Sequence, residues 1–366
     1  MSYHYLRFEK LKALTEKIFE SFGYSSQDAQ TIADVLLMAD LFGIESHGVQ
    51  RLSLYPFGIK IGRIKVDAKP VVLKETELSV VIDADACMGQ IVSVSAMKNV
   101  MEKAKQHGFG IAMVKNSNHY GIAGYYSLMA ANEGLIGVSM TNTQGLVVPT
   151  FGKKPIIGTD PIAFSVPAFP NPFHLDMSTS VVTGGKMEVY AKNQKPVPYG
   201  WMVDENGETN TDAERFVANR GKGSGGILPL GGAGELLSGY KGFGLAMLVE
   251  IMTGIMSGGV PSMDVRKVPE KELCSHMFMA ISPTLFSDNP ENIFNALSEF
   301  LGNVRGSEKA SGADRIYIHG EKEFENQRRV MENGVPVSQK TMDEIYALIN
   351  QQGIDASDYI EELSNK

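Results

Sequence analysis

The stretch Lys115–Gly121, with the sequence KNSNHYG, places His119 among four small polar or glycine residues. The apolar run FGIAMV at 109–114 precedes it and predicts a β-strand, and the alanine- and tyrosine-rich segment 122–131 predicts a helix. Ligands collect at strand ends in open α/β sheets. The position of His119 therefore indicates a functional site, with the alternative that its ring only satisfies backbone groups of a loop.

A second polar cluster, Glu45–Arg51, has the sequence ESHGVQR. Ser46 is a residue type that caps helix N-termini, so it predicts a helix start. His47 and Arg51 are four residues apart and would share one face of that helix, which Tyr55 would join. The cluster predicts a second group of polar side chains directed toward one place.

The composition is typical of a large soluble globular protein. The chain has 366 residues, of which 43% are hydrophobic and 21% are charged, enough for two domains or for one domain with a large insertion. The net charge of −8 comes from 42 acidic and 34 basic side chains that are mixed along the sequence. This mixture argues against nucleic acid and against an anionic membrane as partners, and it favours a small metabolite.

Two cysteines, Cys87 and Cys274, lie far apart, without a CxxC motif or a nearby Cys/His ligand set. The sequence therefore predicts neither a disulfide scaffold nor a zinc site, and we expect no metal. The N-terminal segment MSYHYLRFEKLKAL has no apolar signal region, and no run of about 18 apolar residues occurs. We expect a reducing, cytoplasmic setting.

Helical and strand patterns alternate along most of the chain. Apolar residues at helical spacing predict helices at 7–22 and from Ser25 to Gly43, where Ser25 and Asp28 are spaced as in a capping box. The later elements follow a βαβ order. They are strands at 71–75, 78–84, 109–114, 135–142, 163–166, 174–180 and 277–281, and helices at 90–106, 181–192, 240–256, 291–301, 321–332 and 338–350. The pattern predicts the α/β class with a helical N-terminal part.

The string Gly221–Gly226, GKGSGG, formally matches the dinucleotide fingerprint GxGxxG. The preceding segment ERFVANR is too polar for a buried strand, and Pro229 with the two glycines after it forbids the helix whose N-terminus would hold a pyrophosphate. We interpret the string as a flexible loop. No other glycine-rich turn has the required context, so the sequence predicts no Rossmann domain.

The remaining polar residues form a chemically consistent set: Ser46, His47, Arg51, His119 and Lys241. An arginine fork binds a carboxylate through two charge-assisted hydrogen bonds and so orients an α-hydroxy or α-keto acid. A histidine with a pKa of about 6.5 can exchange the hydroxyl proton near neutral pH. Two alternatives stay open, because Arg51 can be a solvated surface residue and Lys241 an ordinary lysine at a helix start.

Six segments resemble, in the same order, successive blocks of the type 2 malate/L-lactate dehydrogenase family. They are ESHGVQR at 45–51, KNSNHYGIAGYY at 115–126, GTDPIAFSVP at 158–167, LDMSTSVVTGGK at 175–186, GGAGELLSGYKGFGL at 231–245 and GADRIYIHGE at 312–321. The resemblance extends from about residue 5 to residue 350. Two positions depart from the family pattern: Gln144-Gly145 stands where many members have Ser-Pro, and His319 replaces a common proline.

The resemblance implies hydride transfer with NAD or NADP. It places His119 at the family's acid/base position. The substrate-binding cluster would be Ser46, His47 and Arg51, and in some members the position of His47 is instead the proton donor. The cofactor would lie along Thr143, Asp176, Met177, Ser178, Lys241, Gly306, Ser307, Glu308 and Lys309.

The resemblance also implies a non-Rossmann fold and a homodimer whose active site lies between two domains. We predict a mixed-sheet NAD(P)-binding domain at 71–319 and a helical domain formed by 1–70 together with the C-terminal helices at 320–366. The helix at 240–256 is apolar on nearly all faces, which predicts that it is buried in the core or in a subunit interface.

The sequence favours an NAD(P)-dependent 2-hydroxy acid dehydrogenase that interconverts malate and oxaloacetate, because the block at 231–245 is most similar to malate-type members. Lactate, ureidoglycolate and sulfolactate dehydrogenation and cyclic imino-acid reduction are the alternatives within the family. Outside it, the alternatives are a pyridoxal phosphate enzyme with Lys241 as the Schiff-base lysine, and a non-catalytic metabolite-binding protein. The complete set of acid/base and carboxylate-binding residues argues against both.

Overall fold

The computed structural model describes residues 3–363, which form an α/β fold with three sheets. The strands are β1 (Tyr3–Leu6), β2 (Val71–Glu75), β3 (Ser79–Asp83), β4 (Phe109–Ser117), β5 (Ile136–Thr141), β6 (Ile162–Val166), β7 (Phe173–Met177), β8 (Met202–Val203), β9 (Thr209–Asn210), β10 (Gly226–Ile227), β11 (Cys274–Ile281) and β12 (Val335–Ser338). The α-helices are α1 (Phe8–Ser21), α2 (Ser26–Leu41), α3 (Leu54–Lys60), α4 (Gly89–His107), α5 (Gly124–Asn132), α6 (Gly184–Lys192), α7 (Ala213–Asn219), α8 (Gly239–Glu250), α9 (Pro290–Arg305), α10 (Glu321–Asn333) and α11 (Gln339–Gln352).

The largest sheet has seven strands in the order β2-β3-β4-β11-β5-β6-β7. The β3–β4 pair is parallel and the other neighbours are antiparallel, so the sheet is mixed, as predicted. Helices α4 and α5 cover one face, where Val80, Ala112 and Phe278 are almost fully buried. Because side chains alternate between the two faces of a strand, this packing fixes which strand residues point to the other face.

The two ends of the chain meet in a helical layer. Strand β1 pairs with β12, and Leu11, Leu36 and Ile345 share one hydrophobic cluster. Helices α1 and α2 begin and end close to their predicted limits, and Ser25 caps α2 by accepting a hydrogen bond from Asp28 N–H at 3.1 Å. The division into a helical domain of 1–70 with 320–366 and a cofactor domain of 71–319 stays a prediction.

The prediction that Ser46 caps a helix is wrong. Residues Glu45–His47 and Val49–Arg51 form two single turns of 3-10 helix, and Ser46 makes no capping hydrogen bond. The cause is a tertiary contact, because the Asp40 carboxylate accepts the Val49 N–H at 2.9 Å and would lie 1.9 Å from a Cβ on residue 48. Gly48 therefore permits a close approach that breaks the expected helix.

Within the single chain the helix predicted at 240–256 is buried on one side only, and its burial in a subunit interface stays a prediction. Helix α8 and the π-helical turn Ile251–Ile255 pack on the sheet through Val249. The opposite face is open, with Leu248 43% exposed and Ile251 47% exposed. A single sheet face covers only one side of a helix, so the remaining apolar stripe has no partner within the described part of the chain.

The glycine-rich string at 221–226 forms the loop after α7 and ends at the first residue of β10, and the segment before it is a helix, not a strand. It therefore lacks the strand-turn-helix context of a dinucleotide fingerprint, as the sequence predicted. Among residues 3–363, no helix combines the length and the apolar character needed to cross a membrane.

Candidate active site

The two predicted histidines lie against each other. The rings of His47 and His119 are stacked, with their centroids 5.6 Å apart and their planes at 27°. His119 follows the end of β4, and its loop is held by the Asn118 side-chain amide, which donates to the carbonyl oxygens of Ala86 at 2.9 Å and Cys87 at 3.0 Å. Strand β4 and the 3-10 turns thus place His119 and His47, which are far apart in sequence, in one site.

Ser46 and Arg51 complete the predicted cluster. The Ser46 hydroxyl is 2.9 Å from His47 Nδ1, and Arg51 Nε donates to the Ser46 carbonyl oxygen. No carboxylate oxygen of residues 3–363 lies within 4.0 Å of the Arg51 guanidinium, while the neighbouring Glu188 pairs with Arg220. The rest of the Arg51 fork is therefore available to an anion from outside the chain.

Two buried residues, Tyr55 and Gln90, hold His119 from behind. Gln90 Nε2 donates to the Tyr55 hydroxyl at 2.8 Å, and that hydroxyl is 2.9 Å from His119 Nδ1. The Gly121 N–H also donates to Nδ1, at 3.3 Å, so Nδ1 is an acceptor and the neutral ring carries its proton on Nε2. A hydroxyl can donate or accept, so Tyr55 can keep its bond in both protonation states of His119.

Both histidines are neutral at pH 7. Burial, followed by the charge of Arg51, lowers the pKa of His47 to about 4. Burial also holds the pKa of His119 well below 6.5, and His47, Arg51 and Arg266 add to the effect. An anion bound beside Arg51 would offset these positive charges and raise both pKa values. The ionisation of the site is therefore coupled to the binding of an acid.

The predicted cofactor residues Thr143 and Asp176–Ser178 lie on one wall. Thr143 Oγ1 accepts the Thr159 N–H at 3.0 Å, and the Thr159 carbonyl accepts the Thr179 N–H at 2.9 Å. Asp176 accepts the Gly124 N–H at 2.8 Å. The segments around Thr143 and Thr179 are thus joined through Thr159, by one side-chain and one backbone hydrogen bond, next to the helix that follows His119.

Helix α8 begins at the edge of the same wall. The Leu230 N–H donates to the Thr179 carbonyl at 2.8 Å, and a Cβ on Gly242 would lie 2.2 Å from the Leu230 carbonyl oxygen. The N-terminus of α8 has no side-chain cap, and Lys241 in its first turn is exposed. The positive end of the helix dipole and a lysine in the first turn suit a phosphate group. These residues therefore fit a dinucleotide.

The predicted segment Gly306–Lys309 lies elsewhere. It follows α9 and is exposed, with Ser307 Oγ donating to the Val304 carbonyl at 2.8 Å and Lys309 Nζ donating to the Asp314 carbonyl at 3.1 Å. Within the described residues none of its side-chain hydrogen bonds reaches the wall of Thr143. Its role in cofactor binding stays a prediction.

Comparisons with known proteins identify the family. Residues 6–346 match the malate/L-lactate dehydrogenase family. The chain belongs to this family. It is 43% identical to a malate dehydrogenase of Pyrococcus abyssi, over 96% of each chain, and 35% identical to a malate/(S)-sulfolactate dehydrogenase of Methanothermus fervidus, over 95% of this chain and 98% of the other. The crystal structure of malate dehydrogenase from Entamoeba histolytica superimposes with a TM-score of 0.93 at 32% identity, covering 97% of this chain and 99% of the other.

The family assignment confirms the predicted resemblance, the α/β fold and the reaction class. The protein is an oxidoreductase that acts on a CH–OH group and uses NAD or NADP. Pyridoxal phosphate chemistry at Lys241 and a purely binding role have no support from this family. Within residues 3–363 no group of three or more His, Cys, Asp or Glu side chains is placed to hold a metal ion.

The sequence analysis missed two polar residues at the site of this dehydrogenase. Gln90 begins the buried side of α4, and a glutamine among apolar helix positions was a signal that could have revealed it. Arg266 lies in a loop with a positive φ of 60°, bonds to Glu272, and is 3.5 Å from the Gln144 side-chain oxygen. No sequence pattern marked Arg266, because its position depends on the folding of that loop.

Proposed function

We propose that this dehydrogenase interconverts malate and oxaloacetate. The observation that carries the proposal is the Arg51 guanidinium, which has no carboxylate partner among residues 3–363, beside the stacked pair of His47 and His119. An arginine fork orients a carboxylate next to the carbon that reacts, and a histidine within the same site exchanges the proton of the adjacent oxygen.

The charges around this site favour a substrate with two anionic groups. Arg220 and Arg266 lie close enough to Arg51 to lower its pKa, and each has its own carboxylate partner, Glu188 and Glu272 respectively. Together with Arg51 they place three guanidinium groups near the site, so a dianion such as malate has a second arginine within the site's surroundings to bind, whereas lactate has one carboxylate. Relatives named for malate and for malate/(S)-sulfolactate support the same class, so sulfolactate, with a carboxylate and a sulfonate, is the second candidate substrate.

Each site residue has a separate role in the reaction. Arg51 holds the carboxylate next to the reacting carbon, and Ser46 fixes the ring of His47. His119 presents Nε2 to the substrate oxygen and is held at Nδ1 by Tyr55. In the reduction its imidazolium form gives the Nε2 proton to that oxygen and keeps the Nδ1 proton on the bond to Tyr55. In the oxidation the neutral tautomer with its proton on Nδ1 accepts the hydroxyl proton at Nε2. A bound nicotinamide supplies or accepts the hydride at the carbon. Thr143, the end of β7 with Asp176, Met177 and the following Ser178, and Lys241 would hold that cofactor.

The substrate can be tested by following NADH and NADPH oxidation with oxaloacetate, sulfopyruvate, pyruvate and a cyclic imino acid side by side. We expect oxaloacetate to have the highest kcat/KM, and no turnover of oxaloacetate would remove the malate assignment. The variant Arg220→Gln tests recognition of the second anionic group. It should raise KM for oxaloacetate and leave KM for pyruvate nearly unchanged. Equal effects on both substrates would contradict a role of this charge in recognising the second anionic group.

We infer that the protein forms a homodimer through the open side of α8. The apolar stripe on this side consists of Leu245, Leu248, Ile251 and Ile255, and the side chain of Ile255 is 57% exposed. Such stripes occur where another subunit packs. Sedimentation at micromolar concentration should give twice the monomer mass. Ile251→Glu should dissociate the dimer, whereas Phe300→Glu, on the exposed face of α9, should not. A monomeric wild-type protein would contradict the inference.

We also infer a cytoplasmic location. Cys87 and Cys274 are buried as free thiols, which is typical of a reducing compartment. Fractionation of cells followed by immunodetection tests this inference, and recovery of the protein outside the cytoplasm would contradict it.

A further inference from the structure

Two acidic side chains, Asp160 and Glu250, lie buried behind the wall of Thr143. Asp160 is fully buried and Glu250 is 6% exposed. Asp160 Oδ1 accepts the Thr143 N–H at 3.1 Å and the Ser262 hydroxyl at 3.3 Å. Both oxygens of Glu250 accept the Ser262 N–H, at 3.2 Å and 3.1 Å. The two carboxyl groups therefore meet at one residue.

The second oxygen of Asp160 has no donor. Oδ2 is buried and makes no hydrogen bond within the described residues, and no lysine or arginine nitrogen of those residues lies within 4.0 Å of either carboxyl group. Burying two unpaired carboxylates side by side is costly, so such pairs keep a proton. In agreement, burial and then the charge of Glu250 raise the pKa of Asp160 well above 3.8, and burial raises the pKa of Glu250 above 4.5.

We propose that Asp160 and Glu250 share one proton at neutral pH and act as a positioning pair for the active site. The proton lies on Asp160 Oδ2, the oxygen without a donor, or on a Glu250 oxygen. Asp160 Oδ1 keeps its acceptor role toward Thr143 and Ser262. One shared proton leaves a single buried negative charge on the pair.

The pair is placed to act on both sides of the site. Asp160 fixes the backbone of Thr143, a predicted cofactor residue. Glu250, the last residue of α8, fixes the backbone of Ser262. Arg266 follows Ser262 by four residues, and its positive charge lowers the pKa of His119. This positioning role rests on the proposed function, because it takes Thr143 and Arg266 as parts of the substrate and cofactor site. The sharing of a proton by Asp160 and Glu250 does not depend on the proposed function.

Cys274 lies near Asp160, which adds to the burial and to the Glu272 charge that hold the pKa of that thiol well above 9.0. Glu272 is paired with Arg266. The thiol is therefore neutral and Glu272 is compensated, so the pair itself is the group whose proton can be lost as pH rises.

Amide variants distinguish a pair that shares a proton from an ordinary buried ion pair. Asp160→Asn and Glu250→Gln each replace the shared proton by an amide N–H and keep an acceptor oxygen. We expect both to retain kcat/KM within about threefold at pH 7, whereas Asp160→Ala and Glu250→Ala should lower it by roughly tenfold or more through misplaced groups. Asp204→Asn, which removes a buried carboxylate that pairs with Arg215, is the control.

Infrared spectroscopy in heavy water detects the proton directly. The difference spectrum between the wild-type protein and Asp160→Asn, and that between wild type and Glu250→Gln, should each show the carbonyl band of one protonated carboxylic acid at pH 7. Asp204→Asn should show none. Signals from all other carboxyl groups cancel in the difference. Absence of the band would overturn the proposal whatever substrate the enzyme uses.

Stability against pH gives an independent result. A group whose pKa is raised on folding loses stability as pH rises from its unfolded pKa to its folded pKa. The melting temperature of Asp160→Asn relative to the wild type should therefore increase from pH 5 to pH 8. A pH-independent difference, or an Asp160→Asn enzyme as impaired as Asp160→Ala, would overturn the proposal. A lack of activity toward all 2-oxo acids would instead contradict the proposed function and leave these two measurements valid.

Discussion

Two arginine sites in this protein differ in what the chain offers them. At the C-terminal side, Arg305 and Arg315 both donate to the Glu321 carboxylate, at 2.6 Å and 2.9 Å, and the Ile318 N–H donates to it at 3.1 Å. At the active site, Arg51 donates to a backbone carbonyl and has no carboxylate within 4.0 Å among the described residues.

The difference shows how the fold separates structural charge from functional charge. Burial alone would raise the pKa of Glu321, but hydrogen bonds from Ile318, Arg305 and Arg315 lower it. The charge of this carboxylate is therefore compensated by groups of the chain. Burial lowers the pKa of Arg51, which means that its charge is only partly compensated by the protein. A buried cation without a partner is costly to keep unless a ligand supplies the anion. The following experiments test this contrast.

The largest expected effect is that of His119→Ala. Removal of the general acid/base should lower turnover by about 10²–10⁴-fold. In the wild-type protein, kcat/KM for hydroxy acid oxidation should rise with pH and level off below pH 6.5, because the pKa of His119 is lowered and its neutral form accepts the proton. His47→Ala is the control. Should the pH dependence persist in His119→Ala and vanish in His47→Ala, then His47 is the proton carrier.

Arg51→Lys should have the next largest effect. Lysine keeps the charge and loses the planar fork, so KM for the 2-oxo acid should rise by roughly ten- to a hundredfold, the range that about 1.5–3 kcal/mol for a charged hydrogen bond represents. The affinity for NADH, measured by fluorescence titration, should stay nearly unchanged. A loss of NADH binding with an unchanged KM would place Arg51 in the cofactor site.

Tyr55→Phe should have a smaller effect on turnover. The variant removes the hydroxyl that bonds His119 Nδ1 and leaves the ring and its packing in place. The loss of about 1 kcal/mol for one hydrogen bond corresponds to roughly fivefold in kcat. KM should change less than kcat, because Tyr55 orients the proton carrier and not the substrate. A change confined to KM would argue that Tyr55 contacts the substrate.

Glu321→Gln should have the smallest effect on activity. It leaves kcat and KM unchanged and lowers the free energy of unfolding by about 1 kcal/mol, because the arginine partners are partly solvated. The pKa of Glu321 is lowered on folding, so the advantage of the wild type should be present above pH 4.5 and disappear as pH falls below that value. Urea unfolding at two pH values measures it. A loss of activity would contradict the separation of the two sites.

Much of the fold followed from local patterns. The hairpin β2–β3, the strand before His119 and the long α4 were each predicted within a few residues, because apolar periodicity reports which side of an element is buried. The break at Gly48 was not predicted, since it depends on Asp40, a contact between different elements. Arg266 was missed for the same reason, whereas Gln90 had a local signal, as a polar residue among apolar helix positions.

The sequence by itself determined the class of fold, the family and the identity of the main polar residues, because these depend on residue types at fixed spacings. Only the tertiary structure decided that His47 stacks on His119, that β11 lies between β4 and β5, and that Arg51 has no carboxylate partner in the described chain. It also placed Asp160 beside Glu250. Contacts between residues far apart in sequence leave no periodic signal, since they arise only when separate elements pack together.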